Sequence, residues 1–126
     1  MALSVLTNKV ATTSTSNTTT HTTGSFTPTA NALLVATGAF GTSITGTVVS
    51  SVTDTFTGTG SWMIYQITES GGSRTVVTCI AVAKAGASPG SGTVTFTTDN
   101  NCGRNAFGCG EVTGYDTTTP VAQNKT

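Results

Sequence analysis

A chain of 126 residues has room for one domain around one hydrophobic core. Charged residues make up only 8% of it and sum to a formal net charge of zero, while threonine fills about a quarter of all positions. The cations Lys9, Arg74, Lys84, Arg104 and Lys125 are scattered, which argues against direct binding of nucleic acid, and no apolar run is long enough to span a bilayer.

Residues 1–6 lack the basic segment of a secretion signal, so export through such a signal is not expected. Residues 3–6 read as a short apolar strand. Residues 11–23 are almost entirely Thr, Ser and Asn, a composition that buries too little apolar area to order itself. Residues 1–23 are therefore expected to form a flexible arm that becomes an extended strand only against a partner, in its own subunit or a neighbour's. Leu3, Val5, Leu6, Val10, Thr18 and Thr20 are its candidate contact residues. His21, the only histidine, lies in this arm with a solvated or packing role.

Residues 24–126 read as one β-sandwich domain with a polar C-terminal tail. Pro28 stops ladder pairing, and Thr29-Ala30-Asn31 reads as a turn. Residues 32–40 are apolar, too short for a typical core helix and closed by glycine-containing sequence, which predicts a central strand covered on both faces. A strand is expected over 44–52 with Val48 and Val52 on one face, followed by a turn over 53–58. Residues 61–67 carry the only Trp, and the Gly71-Gly72 turn joins them to a strand over 75–83 as a hairpin. Pro89 and three glycines make 86–92 a loop. In 93–97 hydrophobic and Thr residues alternate, turning Val94 and Phe96 inward. Asp99-Asn100-Asn101 reads as a turn, and 107–115 as a last strand. No helical period is sustained, so the chain reads as an antiparallel, all-β sandwich.

Trp62 and Tyr65 differ in parity, so one of them faces away from the core. An outward ring suits sugar stacking or contact with another subunit, and the second use is favoured. Cys79 reads as a small buried hydrophobe. Cys102 and Cys109 flank a glycine-containing loop and are a candidate disulfide if their Cα atoms approach within about 7 Å. No C-x-x-C motif, carboxylate series or nucleophile–base arrangement is visible, so no metal, cofactor or catalytic residue is assigned and the chain is not expected to be an enzyme.

Several segments, in order, resemble jelly-roll domains of tailed-phage virion proteins. They are Ser25-Phe26-Thr27-Pro28 with Ala32-Leu33-Leu34-Val35, the Val52-Thr53-Asp54 turn, the 62–67 strand, Ala81-Val82-Ala83-Lys84-Ala85-Gly86, Ser91-Gly92-Thr93-Val94-Thr95-Phe96, and Glu111-Val112-Thr113-Gly114-Tyr115 through Pro120-Val121. The resemblance implies a jelly-roll-like sandwich acting as a structural protein. The expected role is a decoration, or cement, protein on the outside of a phage head, assembled in the host cytoplasm. Its implied partners are the major capsid protein and itself, as a homotrimer. A carbohydrate- or receptor-binding module of a tail appendage is the alternative, and a strand-donating filament subunit is a weaker one.

Overall fold

The computed structural model describes residues 6–115, which form eight strands and no helix. These are β1 (Thr7–Ser14), β2 (Thr18–Thr22), β3 (Leu33–Thr42), β4 (Val49–Asp54), β5 (Met63–Gly71), β6 (Arg74–Lys84), β7 (Val94–Cys102) and β8 (Arg104–Val112). They build two antiparallel sheets, a five-stranded one in the order β1-β8-β3-β6-β5 and a three-stranded one in the order β2-β7-β4. The expected all-β sandwich is what forms.

The pairing is nested. β1 pairs with β8, β2 with β7 and β3 with β6, as when one long hairpin is rolled up, which is the jelly-roll manner of connecting eight strands. The fourth nested pair, β4 with β5, has no backbone ladder. Instead β5 pairs with β6 across a tight hairpin, where Gly72 at φ 60° supplies the left-handed turn residue, and so joins the larger sheet.

Strict alternation fixes the layers. In β6 every second residue from Thr75 to Ala83 is buried, and in β3 Leu34, Ala36, Gly38 and Phe40 face inward. Phe40, Phe96 and Phe107 meet at the centre with ring centroids 5.4 to 6.0 Å apart, and the His21 ring lies 4.8 Å from Phe40. Leu34, Val52, Val77 and Val94 pack in the same core.

Several expectations need correction. Of the two partners expected for the Thr-rich arm, its own subunit is the one paired: within residues 7–22 it forms β1 and β2 as edge strands of that subunit's two sheets. The apolar area it lacks is supplied by those neighbours, and Thr satisfies a pleated, half-buried ladder well. Leu3 and Val5, with the 3–6 strand that begins there, lie mostly outside the described residues; β1 begins at Thr7. β3 is covered on one face only, since Leu33, Val35 and Ala39 on its other side remain partly exposed and Thr37 is exposed. The inward residues of the fourth strand are Val49 and Val52, not Val48 and Val52. A register shift between Val49 and Ser51 lets two residues three apart share a face. Asp99-Asn100-Asn101 continues β7 instead of turning. Asp99 there accepts a hydrogen bond from the Val48 N–H at 2.9 Å, so tertiary pairing overrides the local turn preference.

Cys102 and Cys109 are free thiols, as is Cys79. The loop reading assumed that the chain doubles back after Gly103. It instead turns a corner from one sheet to the other, and β8 then carries Cys109 along an extended strand at about 3.3 Å per residue, away from Cys102.

Candidate interaction face

The five-stranded sheet turns one face to the core and the other to solvent. On the solvent face the register aligns residues into rows across β5, β6, β3 and β8. Met63, Val82, Val35 and Gly110 form one row, Tyr65, Ile80, Thr37 and Gly108 the next, Ile67, Thr78, Ala39 and Ala106 the third, and Glu69, Val76, Gly41 and Arg104 the fourth.

Bulk is unevenly distributed along these rows. Met63, Tyr65, Ile67, Val76 and Ile80 are all exposed, with Tyr65 at 55% and Ile67 at 67%, so β5 and β6 form an apolar ridge. At the other side, β8 exposes Ala106 and Arg104, while Gly108 and Gly110 are buried beneath the neighbouring strand. A Cβ placed on Gly108 would stand 2.4 Å from the Val10 carbonyl oxygen, and one on Gly110 would stand 2.8 Å from the Thr7 oxygen. The glycines therefore let the bulged edge strand β1 curl over β8. The result is a groove of about 520 Å³ with β8 as its floor, Leu6 and Ala11 on one wall and Val35 and Thr37 on the other.

The two candidate rings are not brought together. Trp62 turns inward against the core, and its Nε1 donates to Asp54 Oδ2 at 2.7 Å. Tyr65 is the outward ring and stands on the ridge. Of the arm residues, Leu6 walls the groove and Val10 packs against the core, while Thr18 pairs with Cys102 and Thr20 with Thr97 in the smaller sheet. Val10, Thr18 and Thr20 thus make contacts inside the subunit. Sequence reading missed the ridge because it gave the 75–83 strand no assignment of faces. The legible signal was that β6 is apolar on both parities, which one buried face cannot explain.

The other polar features hold the fold. Glu111, 5% exposed at its side chain, takes a 2.8 Å ion pair from Lys9 and hydrogen bonds from the Thr29 N–H and hydroxyl at 2.8 and 2.6 Å. Burial alone would raise its pKa, but Lys9 and Thr29 outweigh that and hold it below the ordinary value. This clasp ties β1 and β8 to the 29–31 turn. His21 is 2% exposed, and burial lowers its pKa. Its Nε2 lies 3.5 Å from Thr98 Oγ1 and its Nδ1 has no partner. Among the described residues no carboxylate hydrogen-bonds to it. Burial pushes the Cys79 thiol up to about 11 and Cys109 up to about 12. Among the described residues no three His, Cys, Asp or Glu side chains converge as metal ligands.

Compared with protein-family models, curated proteins and solved structures, the chain matches none.

Proposed function

We propose that the protein is a structural subunit of a tailed-phage virion, a decoration protein that binds the outside of the head and reinforces it. The observation that carries this reading is the exposed apolar ridge on a sandwich of zero formal net charge: a surface of that kind is built to be covered. The nested strand order and the sequence resemblance to phage jelly-roll domains support it. So does the use of the buried polar groups Glu111 and His21 as packing and clasp elements.

The test is the location of the protein in purified particles. Immunogold labelling spread over the head, with earlier loss of packaged DNA on heating when the protein is stripped away, is the expected result. Labelling confined to the tail tip would replace this reading with the second one, a glycan-binding appendage module. That reading is favoured by Tyr65 alone, whose outward ring offers a stacking platform. It requires glycan-array binding that disappears in Tyr65→Ala. Strand donation is not proposed, because β1 and β2 are already paired within their own subunit.

A further inference from the structure

We propose that the outer face of the five-stranded sheet binds the same face of a second copy of this chain, forming a two-fold dimer in which the ridge of each subunit enters the groove of the other. The ridge and the groove lie on one face, on opposite sides of its centre, and they share register. Met63, Tyr65 and Ile67 on β5 occupy the same rows as Gly110, Gly108 and Ala106 on β8. A two-fold axis lying in the interface, parallel to the strands and midway between β3 and β6, maps every row onto itself and exchanges β5 with β8. It therefore sets Met63, Tyr65 and Ile67 over the groove that β1 and β8 form, where Gly108 and Gly110 are buried and Ala106 is exposed, twice, once on each side of the axis. Val35, Thr37, Ile80 and Val82 meet their counterparts across the middle. A self-complementary patch of this kind is what an isologous contact requires.

Charge follows the same symmetry. Glu69 and Arg104 are exposed and share the fourth row, Glu69 on β5 and Arg104 on β8. Neither forms an ion pair within the subunit among the described residues. The axis that puts Tyr65 over Gly108 puts Glu69 of one copy over Arg104 of the other, at the rim of the contact. The reverse choice, an axis across the strands, would bring unlike rows together and stack ridge on ridge.

Four strands, β8 to β5, about 4.8 Å apart and about 33 Å long give an overlapping face of roughly 600 Å² per subunit, the low end of what specific complexes bury. Two sheets stacked about 10 Å apart with their strands nearly aligned is also an ordinary packing geometry. The arrangement is two-fold, so it departs from the trimer implied by the family resemblance. It stands whether or not the larger assembly is a virion.

Sedimentation velocity on the full-length protein alone, from about 1 to 100 μM, tests it without any particle. A dimer is expected within that range. Ile67→Lys should weaken it about 100-fold by placing a charge in the apolar contact. Glu69→Arg and Arg104→Glu should each weaken it about 10-fold, because each sets like charges together twice, and the double exchange should recover most of that loss. The two charge variants alter exposed residues only, so they keep the test meaningful if Ile67→Lys folds poorly. A monomer at 100 μM, a trimer, a dimer indifferent to Ile67→Lys, or a double exchange no better than either single would each overturn the proposal. A wild-type monomer that sediments only with added capsid protein would do so too, and would assign the face to that partner.

Discussion

The side-chain amide of Gln66 holds both backbone groups of Val49: Oε1 accepts the Val49 N–H at 2.7 Å and Nε2 donates to the Val49 carbonyl at 3.2 Å. One side chain on β5 thus does for β4 what a neighbouring strand would do, at the place where the nested pairing lacks its fourth ladder. Thr68 extends the stitch by donating to the Thr47 carbonyl at 3.1 Å, and Trp62 anchors its other end on Asp54.

Gln66→Ala should therefore destabilise the domain by roughly 1–2 kcal/mol and lower its melting temperature by several degrees, since two backbone groups at a sheet edge lose their partner. Gln66→Glu keeps an acceptor but loses the donor and sets a carboxylate against the Val49 carbonyl. It should be the worse variant at pH 7 and recover toward pH 4 as the carboxyl protonates. Thermal unfolding of both at the two pH values checks this.

The Glu111 clasp makes stability depend on acid. Its folded pKa lies below the ordinary value of 4.5, so the unfolded chain takes up the proton first as pH falls. The clasp's contribution is complete above about 4.5 and is lost as pH drops through the folded value. Glu111→Gln should cost roughly 2–3 kcal/mol at pH 7, below the range for a fully buried pair because Lys9 is 26% exposed, and should flatten the acid limb of a urea-denaturation series.

His21 gives a second, separate window. Its folded pKa is lowered from 6.5 by burial, so the neutral ring's contribution is whole above 6.5 and falls as pH drops from there toward the folded value. His21→Phe keeps a ring against Phe40 and removes the titration. Its stability should not fall between pH 7 and 5, whereas the native protein's should, as read from denaturant midpoints.

All three thiols should resist iodoacetamide at pH 8 in the folded protein and react fully in denaturant. They are buried, and Cys79 and Cys109 titrate near 11 and 12. Intact mass should not change on reduction. A gain of two mass units would restore the Cys102–Cys109 bridge.

Alternation made the inward set around Val94 and Phe96 legible, and glycine-rich punctuation located the β5–β6 hairpin. What was hidden depended on partners far along the chain. The ordering of residues 7–22 requires β7 and β8, roughly seventy to a hundred residues away in sequence, and the Val49–Val52 pair requires a bulge that no local pattern announces. Gly108 and Gly110 were visible as letters, but their purpose, the close approach of β1, exists only in the folded sheet. Of the candidate site, Tyr65 was reachable by parity. The ridge around it was legible only as an excess, apolar residues on both parities of β6, and which parity carries it depends on the sheet that the other strands complete.

The nested order also sets a timetable. β1 is made before the other seven strands of the sandwich and its partner β8 after them, so during synthesis β1 waits while the intervening strands emerge. A waiting strand of Val and Ile would be an open invitation to aggregate. One of threonine, serine and asparagine hydrates well and keeps the β-geometry it will need, so the hydroxyl-rich N-terminal stretch serves the nascent chain before it serves the finished sandwich.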